Sequence, residues 1–412
     1  MGKDSVKNLV GQPIFKQIIE IVPKSLFDKI VIEHKSDRYY KSFSSWDEFV
    51  TLLFGILARC DSAREICDGM AALGGKLNHL GMDCAPAKST FGDAMRDRKY
   101  NIFEQFYFAL LSHFSSVLSD SRKDGVNFEQ FYAFDSTTIR LFTDILKGVG
   151  RNPKGDGKKK GGLKVHMLTD VHADVVKFAR ISEAKQHDKN FLKYLSLPQG
   201  SMTVFDKAYN HYWQFAKWTQ EGVNFVCRLK DNAAYEVMEI LWDNILTDKE
   251  YGTLKEEHIH LKYIEKKNDK HKKTLCLRKV TYKDKEGRIY KFITNNWNIS
   301  NEEVALIYKY RWTIETSFKK LKQNFQLHFF YSETENGIKK QIWCTLITYL
   351  LMTILKRLSK SPKAFSTIVA LIRIHLISHL DLLWVIENGR RYYLKRTKTR
   401  NKSPDVIQLS LL

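Results

Sequence analysis

Residues 131–137 read FYAFDST, and this stretch decides the fold. Four apolar residues in a row end in a carboxylate, Asp135, and Thr137 to Leu141 continues the run. A helix face would show apolar residues every three or four positions, so this is a short strand. A carboxylate directly after buried strand residues is held at a sheet's rim by rigid neighbours, a place suited to a metal ligand. The plainer reading is an aspartate that caps a turn.

Toward the C-terminus, Leu163 to Thr169 and Val175 to Ile181 make two more strand-like runs, and the VHAD link between them fits a hairpin turn. A helical stretch, Asp188 to Leu195, precedes the run Met202 to Phe205, which ends in a second carboxylate, Asp206. Tyr209 to Gln220 is helical in pattern and Val223 to Leu229 is another buried strand. Three strands, a helix, a strand, a helix and a strand predict a mixed α/β sheet. Residues 231 to about 290 carry more charge and alternate, as in TLCLRKVTY and RIYKFITN, which predicts a β-rich insertion. Helical pattern resumes from Glu302 to about Lys322, then over Ile338 to Leu358 and Ala364 to Ile386.

Toward the N-terminus the pattern is helical. A short helix around Ile14 to Val22 meets Pro23, and Ser45 precedes a second, Trp46 to Arg59. Asp61 or Ser62 caps a third to Leu73, and from Ser89 a short helix leads to a longer one ending near Leu118. Such a region suits a helix-turn-helix-like DNA reader and a plain packing domain equally. The division expected is a helical DNA-binding domain over 1–122, a catalytic core over 123–230, a β-rich insertion over 231–295, the rest of the core over 296–360, and a helical C-terminal region with a basic tail over 361–412.

Lys plus Arg outnumber Asp plus Glu by 67 to 46 in the 412 residues, a net charge of +21. That surplus points to a polyanionic partner, nucleic acid first, with a merely basic protein as the alternative. The cysteines, at 60, 67, 84, 227, 276 and 344, form no CxxC pair and no tight cluster with histidine, so neither a zinc site nor a disulfide framework is expected. The first residues, MGKDSVKNLVGQPIF, lack the apolar core of a signal peptide. Ile342 to Leu355, interrupted by Thr345, Thr348 and Thr353, falls short of a membrane span and reads as a buried helix. A cytoplasmic, nucleoid-associated protein with no membrane partner is expected.

The sharpest motif lies in IYKYRWTIETSFKKLKQNFQL, residues 307–327. Tyr308, Arg311, Glu315 and Lys322 are spaced by three, four and seven, which puts them on one face of a continuous helix. Core-facing positions rarely hold three charges unless these are paired or functional; the rival reading is a solvated face with an i,i+4 ion pair. Three carboxylates together suit phosphoryl transfer, because hard divalent cations prefer carboxylate oxygens. Asp135 is the natural bridging ligand and Asp206 and Glu315 the flanking ones, while Arg311, Lys319, Lys320 and Lys322 would position phosphates.

These residues resemble the DDE transposases of bacterial insertion sequences, in the group named after insertion sequence 4. Its Y-x2-R-x3-E-x6-K motif is met by Tyr308, Arg311, Glu315 and Lys322. The surroundings of Asp135, of Asp206 with Tyr209-Asn210, and GLKVHMLTD with Lys164 and His166 are similar too. The resemblance implies an RNase H-like core with a β insertion, for which the 109-residue separation of Asp206 and Glu315 leaves room. It implies two Mg²⁺ or Mn²⁺ ions on Asp135, Asp206 and Glu315, cleavage of double-stranded DNA at the element's ends, and strand transfer into a target by a homodimer. In hairpin-forming relatives an insertion tryptophan holds a flipped base; Tyr290, Phe292 and Trp297 stand in that region and none is a clear match. A nuclease without strand transfer and a non-catalytic DNA-binding regulator are the rival functions.

The segment KGVGRNPKGDGKKKGGLK, 147–164, lacks the strand-glycine-helix context of a nucleotide loop. It reads as a basic loop on DNA backbone, through Arg151, Lys158, Lys159, Lys160 and Lys164, or as a solvated loop. His166, His172 and His187 are not expected to bind a metal, and Trp213 and Trp218 are expected in the core rather than stacking on bases. The basic tail GRRYYLKRTKTRNK, 389–402, suits either DNA contact or solubility.

Overall fold

The computed structural model describes residues 11–73, 75–119, 125–140, 162–184, 187–244, 251–265, 271–325, 327 and 329–387. They group into two compact units, one within Met1–Leu110, Asn324–Ser332 and Asn336–Leu412, the other within Leu111–Gln323 and Glu333–Glu335.

The first unit opens with α1 (Ile14–Ile21), α2 (Lys24–Glu33), α3 (Ser45–Ala58), α4 (Ala63–Ala71) and α5 (Lys88–Asp97); α6 (Asn101–His113) leads out of it to the short α7 (Ser115–Leu118). Pro23 ends the first helical run and precedes the second, as its locked φ and missing N–H require. The cap of α3 is Ser44, one residue before the Ser45 expected: its hydroxyl accepts from Asp47 N at 3.1 Å and its amide donates to Asp47 Oδ2 at 2.7 Å. Ser45 turns instead to Asp37, at 2.8 Å. Every residue of α3 from Glu48 to Leu57 is buried, which makes it the unit's central packing helix.

The second unit is built on nine strands: β1 (Phe131–Arg140), β2 (Gly162–Asp170), β3 (Val175–Glu183), β4 (Met202–Phe205), β5 (Asn224–Arg228), β6 (Glu236–Asp243), β7 (Gly252–Tyr263), β8 (Lys273–Lys283) and β9 (Ile289–Thr294). Their order is β3-β2-β1-β4-β5-β9-β8-β7-β6. β1, β2 and β3 run antiparallel while β4 and β5 lie parallel to β1, the RNase H-like arrangement. The VHAD link is a tight turn, in which Asp170 Oδ1 accepts from the amides of His172 and Ala173 at 3.0 Å each. The insertion's strands lengthen this sheet: β9 pairs antiparallel with β5, Cys227 opposite Ile293, and so covers the edge β5 would leave open. Under the first five strands Phe134, Phe205, Tyr209, Phe215, Trp218 and Phe225 form an aromatic core to which α8 (Tyr212–Gln220) contributes.

The long helix expected from Glu302 to Lys322 is two helices. α9 (Asn301–Lys309) starts on a Ser300–Glu303 capping box and stops before Tyr310; α10 (Trp312–Asn324) follows. Between them the backbone tightens to i→i+3 bonds, Arg311 N to Tyr308 O at 3.1 Å and Thr313 N to Tyr310 O at 2.9 Å, while the Tyr310 ring packs edge-on against Phe131. The motif is therefore carried by two helices and the turn between them, with Arg311 in the turn.

The first unit is completed by α11 (Glu335–Leu358) and α12 (Phe365–Ile374), so α11 groups with the N-terminal helices rather than with the sheet. By length and composition α11 would cross a membrane, yet 94% of its apolar window is buried within the protein. Thr345, Thr348 and Thr353 bury their hydroxyls by donating to the carbonyls four residues back, at 2.8–2.9 Å. A buried charge cluster ties α11 to α3. Glu48 accepts from Lys340 at 2.7 Å and from Arg98 at 3.3 Å, and Lys340 donates again to Ala94 O at 2.6 Å.

Removing one member of such a cluster strands the others in an apolar interior. Glu48→Ala is expected to destabilise the helical unit by about 3–5 kcal/mol, read by chemical denaturation. The triple replacement Glu48→Leu, Arg98→Met and Lys340→Met should recover much of that loss; a triple variant no better than the single one would show that the ions themselves are not the cause.

Candidate active site

Strand register, more than spacing in the chain, sets the site. β1 and β4 are parallel, with Tyr132 opposite Thr203 and Ala133 opposite Val204. Carried two residues on, the same register sets Asp135 level with Asp206 on one face of the sheet. The residues before them, Phe134 and Phe205, point to the other face and stack with ring centroids 4.5 Å apart. β4 ends at Phe205 whereas β1 runs on beside β2, so the two carboxylates stand where neighbouring strands part, the usual crevice of a parallel sheet.

The third carboxylate, Glu315, lies in the first turn of α10 and is ion-paired with Arg311 from the break before it. The Tyr308 hydroxyl, 3.4 Å from Asp206 Oδ1, belongs to a ring packed on Phe292. On the other side, Asp135 Oδ1 accepts from the Ser136 amide at 2.7 Å and lies 3.5 Å from the Tyr209 hydroxyl. Tyr308, Arg311 and Glu315 thus converge with both aspartates. Arg311 is 9% exposed, its guanidinium lies 5.6 Å from the centre of the Tyr308 ring and 5.0 Å from that of Trp312, and its Nε is buried with no hydrogen-bond partner among the described residues.

The three acidic groups feel one another. Burial pushes the Asp135 carboxyl up to about 6, the Ser136 amide and Arg311 pull it back, and Asp206 and Glu315 push it further up. Oxygen-only donors that repel one another in a crevice are a donor set fitted to a hard divalent cation. A cleft of about 450 Å³ opens beside Asp206, lined by Lys207, Ala208, Lys230, Asp231 and Asn232.

Other residues fall elsewhere than expected. Lys164, expected on DNA, is buried on β2 with its ammonium 2.9 Å from Asp188 Oδ1, which also accepts from Ser136 Oγ at 2.7 Å. Asp188 is therefore a brace that sequence reading passed over; no local pattern marks it, because its partners lie on two strands distant in the chain. Despite burial, which pushes its pKa up, the bonds from Lys164 and Ser136 hold Asp188 below the usual carboxylate range. Lys320 pairs with Asp174 of the VHAD turn, Lys319 is exposed on α10, and Lys322 is half-buried near its end. His166 is buried and stacked on Phe191, and its pKa is pulled down to about 4 by desolvation. His172 bonds the Phe128 carbonyl at 2.7 Å, and Trp218 is in the core. Arg151, Lys158, Lys159, Lys160 and the basic tail lie outside the described residues.

An RNase H-like sheet carrying two strand-end aspartates and a helix-borne glutamate defines an enzyme that acts on the phosphodiester backbone of nucleic acid. The chain belongs to the transposase DDE domain family, which matches residues 127–351; residues 10–83 match a second family, described as a domain of unknown function. It is 26% identical to y4zB of Sinorhizobium fredii, a protein named as a transposase, over 72% of this chain and 79% of that one. It is 25% identical to a probable transposase for insertion sequence element IS5377 of Geobacillus stearothermophilus, over 61% of this chain and 63% of the relative. A transposase for insertion sequence element IS231D of Bacillus thuringiensis is 22% identical over 79% of this chain and 76% of its own length. The chain is thus a DDE transposase, an enzyme with a DNA substrate and a dependence on divalent metal.

A carboxyl raised from 3.8 to about 6 binds its proton more tightly in the folded chain, so its charge subtracts stability as pH rises from about 4 to about 6. In chelator, Asp135→Asn should stabilise the protein at about pH 7.5 by on the order of 2 kcal/mol, and the gain should shrink toward zero near pH 4. Denaturation midpoints across that range test it; a variant less stable at every pH would contradict this account of the site.

Proposed function

We propose that the chain cleaves double-stranded DNA at the ends of its insertion sequence and joins the freed 3′ ends to a target, using two Mg²⁺ or Mn²⁺ ions on Asp135, Asp206 and Glu315. The observation that carries this reading is the level placement of Asp135 and Asp206 with Glu315 close enough to raise the Asp135 carboxyl. Two such ions, when bound, activate the attacking oxygen and neutralise the leaving one.

The chain's own residues have separate tasks. Asp135, pressed by both other carboxylates, would hold the metal together with them. Burial pushes the Tyr308 hydroxyl up, so it stays protonated and orients Asp206 as a donor. Arg311 steadies Glu315 and keeps its Nε for a phosphate oxygen. Lys319 and Lys322, with Arg151, Lys158, Lys159 and Lys160, grip the backbone; the net charge of +21 supports that assignment. Lys164, buried and paired with Asp188, supports the fold of the site. A homodimer on paired ends follows from the need to join two of them.

The test mixes purified protein with DNA carrying the element's ends, a target plasmid and Mg²⁺ or Mn²⁺. Wild type should cut and join, while Asp135→Asn, Asp206→Asn and Glu315→Gln bind the ends and lose at least about a thousandfold in rate. Cutting without joining would favour a nuclease, and binding without cutting a DNA-binding regulator.

Tyr308→Phe separates positioning from binding: DNA affinity should hold while cleavage slows about tenfold, the worth of one hydrogen bond to a charged group. Weaker DNA binding at an unchanged cleavage rate would make Tyr308 a backbone contact instead.

A further inference from the structure

The outer strands hold a second cluster of donor atoms, of a different chemical kind from the carboxylates. His258 and His260 are two apart on β7 and so share a face of the sheet. In the antiparallel ladder Cys276 of β8 stands directly opposite His260, which brings all three side chains to that face. Cys276 Sγ is 3.2 Å from His260 Nε2, and one ligand atom from each of the three lies within 4.8 Å of the others. The two imidazoles meet edge to face, centroids 5.1 Å apart. His258 Nε2 is buried and has no hydrogen-bond partner among the described residues, an unusual state for a ring nitrogen.

We propose that His258, His260 and Cys276 form a binding site for a borderline-soft divalent cation of the Zn²⁺ class, separate from the carboxylate site. Nitrogen and thiolate donors select such an ion and disfavour Mg²⁺, which wants oxygen. Tetrahedral Zn²⁺ with bonds of about 2.0–2.3 Å keeps neighbouring ligand atoms about 3.3–3.6 Å apart. The Cys276–His260 contact is already near that value, and His258 offers its ligand atom within 4.8 Å of both.

The surroundings permit a cation. Arg278, opposite His258 in the ladder, spends its guanidinium on Glu256, the Ile299 carbonyl and Asn301, so its charge is neutralised nearby. Trp297 walls the His258 side, its ring 5.3 Å away and edge-on. Cys276 is exposed, which leaves an entry path and a fourth position for water. The bound ion clips β7 to β8 in the part of the sheet that the insertion adds.

The full-length protein, stripped with chelator, is titrated with Co²⁺ while thiolate-to-cobalt charge-transfer absorption is followed. The band should saturate at about one equivalent and vanish when Zn²⁺, the tighter binder, is added. It should be absent in Cys276→Ser and need at least about tenfold more Co²⁺ in His258→Asn or His260→Asn. It should be unchanged in Cys84→Ser, the other exposed cysteine, and in Asp135→Asn. No band in the wild type, or a band indifferent to both histidine variants, overturns the site. A second measurement needs no variant: Zn²⁺ should slow alkylation of Cys276 at least about tenfold, by peptide mapping, and leave Cys84 unaffected. Equal protection of both cysteines, or of neither, overturns it as well.

Discussion

The stack of Phe134 on Phe205 is the contact on which the catalytic geometry depends. The two rings, 4.5 Å apart and nearly parallel, lie one residue before each aspartate. Tyr209 and Trp218 close on them edge-on, and Phe215 and Phe225 fill the space behind. Side chains alternate along a strand, so whatever fixes the rings on one face fixes the carboxylates on the other. Packing in a dense aromatic interior tolerates little displacement, and each strand end is held with the stiffness of the core rather than that of a loop. On the polar face burial raises the Asp135 carboxyl, and the neighbouring Asp206 and Glu315 raise it further.

Around that pair the remaining groups fall into two brackets. Ser136, Asp188 and Lys164 form a part-buried polar chain on the side of β2, and Tyr209 reaches Asp135 from β4's exit. Tyr308, Arg311 and Glu315 close from α9 and α10. The break at Tyr310 is what lets one segment supply both a donor to Asp206 and a carboxylate of its own. Tyr308 ends one helix, packed on Phe292, and Glu315 begins the next, with Tyr310 seated on Phe131 between them.

Much of this was legible in the sequence. Strand-length apolar runs ending in Asp135 and Asp206 placed the sheet and both aspartates, because a period of two and an abrupt polar end are local signals. Pro23 and the Ser62 cap marked helix ends for the same reason. The failures are non-local. Lys164 looks like one more lysine of a basic loop until β3 and Asp188 cover it. Nothing in IYKYRWTIETS announces a helix break, since neither proline nor glycine is present and packing of Tyr310 against a distant strand accompanies it. Spacing along the chain is likewise blind to strand register, which is what brings Cys276 beside His260.

Register supplies what spacing lacks, and it does so twice. Asp135 and Asp206 are 71 residues apart in the chain and level in the sheet because β1 and β4 run parallel in step. His260 and Cys276 are 16 apart and opposite because β7 and β8 run antiparallel. The first pair gives oxygen donors in a half-buried crevice, the second nitrogen and sulfur donors on the outer strands, and those chemistries attract different cations. A one-residue slip between β7 and β8 would send Cys276 and His260 to opposite faces and separate them. The core prevents that slip: Ile259 and Leu261, which alternate with the histidines, are buried with Leu275 and Leu277, which flank the cysteine. Hydrophobic alternation on one face thus determines which polar groups can meet on the other, at the outer strands as at the aspartates.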